Sequence, residues 1–425
     1  MATIDEVLAK VLETTDLARQ SVEDSTETLA TTKEMQTQAQ QALDENETLL
    51  SEHDAKEDAH NALTILIKDE LRAYTEQVSG GRRTIIRNDK DDPNVMYVVP
   101  KFNLEDIDAS LGTGVHPAFI VGGAVKNEIL IGAYAASKVN NRPVSMAHKT
   151  PWTSINLDTA IAQARACGAG FHVMTNAEWM AVALMCWKND WNPRGNTNWG
   201  RSHTNKDEVG TLWSDTRVPG DTADGIASVL TGSGPASWNH DGTSMGIADL
   251  VGNVWEWTPG LRSVDGEVQI IANNDAALAT CDLGASGADW KAILASDGSL
   301  VAPGTSGTVK IDHTAKNTTP CYPKFSTTVT NTPADADPWY KYEGSRDFGA
   351  VESAFTVPAI MKVLGIAPID DKLEGHMWTF NTGERCPFRG GYWNGGANAG
   401  LAALLWYYER TNSDGSIGFR LAFYS

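Results

Sequence analysis

The first 79 residues contain no glycine, no proline and no tryptophan. That gap argues for uninterrupted helix, because the residues that most often break helices are missing. Cysteine is scarce throughout. Cys167, Cys186, Cys281, Cys321 and Cys386 are odd in number, widely spaced and never paired as C-x-x-C, which excludes a disulfide framework and a zinc knuckle. Basic residues are short as well: 34 Lys and Arg against 54 Asp and Glu leave a net charge of −20. Nucleic-acid backbones and anionic membranes both reward basic patches, so neither is expected as a partner. No window approaches 18 consecutive apolar residues, so no membrane insertion is expected. The opening Met1-Ala-Thr-Ile-Asp-Glu carries neither a basic n-region nor an apolar h-region nor an early cysteine for lipid. The expectation is a chain that leaves its cell, if it does, by a route other than a secretory signal.

What the first segment does contain is Thr, Glu, Gln, Ala and Asp with a heptad rhythm. From Ile4 the seam runs Leu8, Val11, Thr15, Ala18, Val22, Ser25, Leu29, Thr32, Gln36, Ala39, Leu43, Asn46 and Leu50, nine of fourteen positions being apolar. A helix cannot bury such a stripe alone, so residues 1–79 are expected to form a self-associating coiled-coil stalk, as a homotrimer. Thr15, Gln36 and Asn46 would fix its register. His53 and His60 continue the seam, Asn61 to Tyr74 turns more apolar, and Gly80-Gly81 ends the helix.

Residues 80–115 read as a short β connector, with Thr84-Ile-Ile-Arg and Val95-Met-Tyr-Val-Val as strands around a turn-rich Asn88-Asp-Lys-Asp-Asp-Pro-Asn. From 116 to 425 the texture is that of one irregular globular domain. Helices are expected over Asn156–Cys167 and from Thr175, where Thr175 and Glu178 form a capping box. Residues 262–380 are rich in loop formers and carry no readable motif. The last 37 residues, Arg389 to Ser425, mix Tyr, Trp, Asn, Ser, Asp and Gly. These residue types fill antibody paratopes, where Tyr and Trp give rigid area and Ser, Asn and Gly give adaptable hydrogen bonding. A buried terminal strand pair is the other reading. Leu405-Trp-Tyr-Tyr lacks alternation and polar residues follow it, which favours a displayed surface.

Trp152-Thr, Thr175-Asn-Ala-Glu-Trp, Gly246-Ile-Ala-Asp-Leu-Val-Gly-Asn-Val-Trp-Glu-Trp-Thr, Arg389-Gly-Gly-Tyr-Trp-Asn and Ile417-Gly-Phe-Arg occur in that order. Together they resemble the formylglycine-generating enzyme family over roughly residues 116–425. Trp199-Gly-Arg-Ser-His, Leu230-Thr-Gly-Ser-Gly-Pro-Ala-Ser-Trp-Asn-His-Asp-Gly-Thr and Gly396-Ala-Asn-Ala-Gly make the segment most similar to the variable proteins of diversity-generating retroelements. The resemblance implies an α+β fold with a C-type-lectin-like domain that displays a hypervariable ligand-binding face. Enzymatic members use a late cysteine pair between Arg-Gly-Gly and Gly-Phe-Arg, whereas Arg389 to Phe419 here contains no cysteine and no histidine. Without soft thiolates or clustered imidazoles, no redox metal site is expected there. The expected function is therefore not enzymatic.

Several further expectations come with the resemblance. Diversification at adenines of Asn-type codons reaches Tyr, Ser, Asp, Gly and Leu but never Trp or Glu. This puts Tyr392, Asn394, Gly395, Leu405, Tyr407, Tyr408, Ser413, Asp414, Gly415 and Ser416 on the binding face, over a buried Trp393, Trp255 and Arg389. No cofactor is required. A structural Ca²⁺ would be held by the Asp249 and Glu256 carboxylates with the Gly252 and Val254 carbonyls, hard oxygen donors that suit it. The implied partners are a host-surface protein or glycan, further copies of the chain and other phage tail proteins. The implied location is a virion tail fibre or tail tip, with a bacterial cell surface as the alternative. A divergent oxidase of the formylglycine-generating type is the rival function.

Overall fold

A computed structural model describes residues 4–53, 69–315, 321–332 and 345–425. His60 and the apolar positions Leu63 to Ile67 lie outside the described residues. Two compact units result, Met1–Asp69 and Glu70–Ser425.

In the first unit one helix covers Ile4–His53, 50 residues. Its many hydroxyls are accommodated inside the helix: Thr15, Ser25 and Thr37 each donate to the carbonyl four residues back, a local bond that needs no outside partner. The apolar residues have no such refuge. Leu8, Val11, Leu12, Leu17, Leu29 and Met35 all stand exposed.

The second unit opens with the helix Glu70–Ser79. Gly80 and Gly81 end it with φ of 60° and 78°, and their amides donate back to the Gln77 and Glu76 carbonyls at 3.2 and 2.8 Å. Left-handed backbone at this point costs glycine nothing. Strands Arg83–Arg87 and Pro93–Pro100 then pair antiparallel around a turn in which the Asn88 side chain accepts the Lys90 and Asp92 amides.

That strand pair is no separate connector. Pro93–Pro100 pairs with Glu128–Gly132, which pairs with the C-terminal strand Leu421–Phe423, which pairs with Phe171–Val173. The end of the chain thus lies inside the five-stranded sheet whose edge the 80–115 segment forms. The divisions expected at 79/80 and 115/116 do not coincide with the boundary at Asp69/Glu70.

Both expected helices form. Leu157–Arg165 is capped by the Asn156 side chain on the Thr159 amide. Asn176–Asn189 starts at Thr175, and the reciprocal Thr175–Glu178 capping box is present. Trp179, Ala181, Ala183, Leu184 and Cys186 on the second helix are almost wholly sealed from solvent.

Where the sequence between 262 and 380 reads as loops, the chain builds most of an eight-stranded sheet. It runs from Leu300–Val301 through Trp290–Ile293, Glu267–Ile271 and Lys310–His313 to Pro323–Ser326 and Glu352–Ser353, with Leu261–Val264 and Glu384–Arg385 alongside. These strands are two to five residues long, too short for a period-2 signal to emerge. A third sheet has six strands, in the order Ser345–Asp347, His376–Thr379, Gly400–Trp406, Phe388–Gly390, Trp255–Trp257, Ile417–Gly418. Gly400–Trp406 is interior, parallel to one neighbour and antiparallel to the other.

All seven residues of that strand are buried. The expected display of Leu405, in this strand, and of Tyr407, just past its end, is corrected: they are 2% and 5% exposed, packed with Phe380, Phe388 and Trp378. The physical reason is the strand's position. An interior strand covered on both faces has apolar side chains on both, so missing alternation marks burial.

Candidate ligand-binding face

Two arginines fix the floor of the site. Arg420 is wholly buried and donates to both oxygens of Glu256, from Nε at 2.9 Å and Nη2 at 2.6 Å. Its remaining donors reach the Gly132 and Ala248 carbonyls. Arg389, equally buried, has only neutral partners: Asn176 Oδ1 at 2.8 Å and the Leu364 and Gly365 carbonyls. Nη1 finds no partner among the described residues, and burial pushes this guanidinium down to about 9. Both tie strands of the third sheet to neighbouring elements, a scaffold role as expected for Arg389.

Above this floor the chain turns at Gly390 and Gly391, with φ of 90° and 99°. A Cβ on Gly391 would meet the Ala399 Cβ at 2.4 Å, so only glycine fits. Tyr392 then stacks on Trp255, ring centroids 6.2 Å apart, and meets the edge of Trp393 at 5.5 Å. Trp393 and Trp255 are buried as expected. Trp393 donates its amide to the Asn253 carbonyl and receives the Trp199 amide on its own carbonyl.

Asn253 explains why the Gly252-Asn-Val-Trp-Glu-Trp stretch sits here. It holds φ at 61° while fully buried, and its side chain bonds the Val229 amide, the Val229 carbonyl and Asn196. The loop between Asn196 and Val229 is thereby stapled beside the 390s. Gly396 adds a further link, its amide donating to the Thr197 carbonyl.

The second half of the C-terminal segment closes the face. Arg410 is anchored by Glu384 and Asp158. The Asp414 carboxylate accepts the Ser416 amide and hydroxyl at 2.8 and 2.6 Å, folding 413–416 into a tight turn. The Asp414 carbonyl accepts the Ser154 amide, and the Ser416 carbonyl accepts that of Trp255, so this turn is tied to the backbone of the residue whose indole supports Tyr392. A Cβ on Gly415 would lie 3.0 Å from Ile226, which places the 196–229 loop against it.

Three stretches therefore converge: 392–398, 411–416 and the loop 196–229. Of the expected residues, Asn394, Ser413 and Asp414 are exposed, and Tyr392, Gly395, Tyr408, Gly415 and Ser416 are half-buried. Leu405 and Tyr407 are beneath the face. The loop brings side chains that the sequence reading did not assign to it. Trp213 is 47% exposed with its indole N–H on the Ile226 carbonyl, Val218 is 68% exposed, and Trp199, Leu212 and Ile226 pack with Tyr392 over Trp393. The available signal was a set of aromatics inside a Gly/Asp/Thr-rich loop, where no core explains them.

The two carboxylates expected to hold calcium are already engaged within the protein. Both Glu256 oxygens are matched by Arg420, leaving a cation no anionic share of them. Asp249, with φ of 61°, accepts the Gly232 amide at 2.7 Å, and burial pushes its carboxyl up to about 6. A hard dication needs several ionised oxygens with free lone pairs. Among the described residues no group of three or more His, Cys, Asp or Glu side chains could hold a metal. All five cysteines are unpaired and buried. Burial raises the Cys167 thiol to about 11 and those of Cys281 and Cys386 to about 12. A protonated, enclosed thiol is neither nucleophile nor ligand.

No family model matches the chain, and comparison with curated proteins finds no match. Similar solved structures include Treponema denticola variable protein 1, at 13% identity and a TM-score of 0.30, covering 80% of this chain and 98% of that one. Two others are the Major Tropism Determinant P3c and U1 variants, each 13% identical, with TM-scores of 0.27 and 0.26. Each alignment covers 78% of this chain and 63% of the determinant. TM-scores of this size do not establish a shared fold.

Proposed function

We propose that this chain is a non-enzymatic receptor-binding protein, a diversity-generating-retroelement variable protein whose C-type-lectin-like head of the formylglycine-generating type grips a host-surface protein or glycan. The observation that carries the reading is the convergence of 392–398, 411–416 and the 196–229 loop. In this reading Tyr392, Trp213, Asn394, Ser413 and Asp414 supply a half-apolar, half-polar surface over a floor of buried aromatics and arginines. Rigid aromatic anchors surrounded by short polar side chains are what variable recognition requires.

In this reading residues 1–79 form a trimeric coiled-coil stalk, and the protein sits with other tail proteins at a phage tail fibre or tail tip. A bacterial surface adhesin is the alternative location for the same chemistry. Neither nucleic acid nor membrane insertion is part of it. The rival oxidase needs a reactive thiol, and every cysteine here is enclosed. Ellman's reagent is therefore expected to find no thiol in the native chain and five after unfolding. A thiol that reacts in the native state would revive the enzyme. The retroelement reading is tested on the flanking DNA. A reverse transcriptase and an adenine-rich near-copy of the Arg389–Ser425 coding segment are expected, and their absence would overturn it.

A further inference from the structure

Eleven of the described residues other than glycine hold a positive φ. Nine are Asn, Asp or His, the types that best tolerate left-handed backbone, and one is Ser154. The eleventh is Trp199, at 47°. A bulky side chain there is strained, and such strain persists only where surrounding bonds over-determine it. Here they do. The Thr197 and Asn198 amides both donate to the Arg201 carbonyl, at 3.1 and 2.8 Å, closing a turn with Trp199 at its tip. The Trp199 amide donates to the Trp393 carbonyl at 2.7 Å, and its own carbonyl accepts the Gly220 amide at 2.6 Å. Asparagine would satisfy the same backbone bonds with far less strain. The position thus calls for tryptophan on account of its side chain.

The fold makes little use of that side chain. The indole is half-buried, lying on the small cluster of Ala227, Val254 and Trp393 that Tyr392 also covers. Its N–H has no partner among the described residues. The indoles of Trp179, Trp238, Trp257 and Trp406 each donate to a carbonyl or carboxylate within the protein. Trp213, on the same loop as Trp199, gives its N–H to Ile226. Trp199 therefore offers a partner an aromatic ring held rigid by its backbone and a donor not yet engaged.

We propose that Trp199 is a fixed ligand contact between the 390s and the 211–226 loop, its ring packing on apolar area of the partner while its indole N–H donates to a carbonyl or hydroxyl oxygen there. The inference rests on the receptor-binding reading above. In that reading diversification is confined to Arg389–Ser425, so Trp199 stays constant while its neighbours vary. Every version of the face then shares one preorganised aromatic, and no new sequence has to order an anchor of its own.

Two variants of the full-length chain separate this role from a structural one. Trp199→Asn keeps the backbone conformation and deletes the ring, whereas Trp199→Phe keeps a ring and deletes the donor. The probe is a bacterial strain that the unaltered chain, fluorescently labelled, decorates. Both variants are expected to melt close to the unaltered chain. Labelling is expected to fall by about thirtyfold for Trp199→Asn and about fivefold for Trp199→Phe. If Trp199→Asn melts as early as Trp393→Asn, a substitution beneath the face, the indole is a structural wedge and the inference fails. Unchanged labelling by both Trp199 variants would also overturn it, and would leave the receptor-binding reading standing where Tyr392→Ala loses labelling. Full labelling by Trp199→Phe alone would overturn the role of the donor. Unchanged labelling by all three variants would remove the face itself.

Discussion

A guanidinium sealed from water needs its charge answered, and the two buried arginines of the floor meet that need differently. Arg420 has a carboxylate; Arg389 has an amide and two carbonyls. Removing one partner of a buried pair costs about 3–5 kcal/mol, because the other charge remains. Glu256→Gln is expected to lose that much in urea unfolding. Arg389→Met deletes an unanswered charge along with its hydrogen bonds and is expected to cost less. The reverse ranking would mean that Arg389 has a partner that this arrangement lacks.

Histidines give a pH signature at the same scale. Burial pushes His116 down to about 3 and His240 and His313 to about 4, against about 6.5 in an unfolded chain. Below pH 6.5 the unfolded chain takes up protons that the folded one refuses. Stability is therefore full above 6.5 and falls as the pH drops toward 4, by up to about 1.4 kcal/mol per unit for each histidine. Asp249, raised to about 6, acts in the opposite sense and offsets one part of this. Urea unfolding at pH 7 and pH 5 should show a clear loss at pH 5, and a flat profile would contradict neutral buried imidazoles.

At the scale of elements, the capping box at Thr175 and the glycine stop at Gly80 were legible because each is local chemistry written in adjacent residues. Trp393 and Arg389 were legible as scaffold by a different route, codon logic for the tryptophan and resemblance for the arginine. Leu405 and Tyr407 misled because periodicity reports faces, and an interior strand has no polar face to report. The eight-stranded sheet was hidden because its short strands are defined by partners far away in the chain. The 196–229 loop was missed because its place beside the 390s depends on one buried asparagine, Asn253, whose bonds span 24 residues to Val229 and 57 to Asn196. Tyrosines at the two levels should separate in experiment. Tyr407→Ala is expected to cost about 3–5 kcal/mol of stability. Tyr392→Ala and Trp213→Ala should leave the melting temperature nearly unchanged and cost about 2 kcal/mol each in binding. Loss of host adsorption without loss of fold at Tyr392 and Trp213, measured on intact cells and by calorimetry, would place the ligand on this face. Unchanged adsorption in both would move the ligand elsewhere.

The same chain carries a small candidate face and, in its other unit, a 50-residue helix. Three stretches of loop bury little area on any ligand, so a single head is expected to bind weakly. Linked heads convert the second and third contacts into intramolecular ones, which raises overall avidity by about 10²–10⁴ when the spacing permits joint engagement. The exposed Leu8, Val11 and Leu29 on Ile4–His53 supply the means in the proposed assembly. Charge placed on that seam should therefore act on adsorption without touching the face. Leu8→Glu with Leu29→Glu in the full-length chain is expected to release monomers by light scattering, keep the unfolding transition of the head, and lower adsorption by about 10²-fold or more. Full adsorption by a monomer would show that one head suffices and that the helix serves something other than avidity. Oligomers that persist through both substitutions would place the association outside the seam.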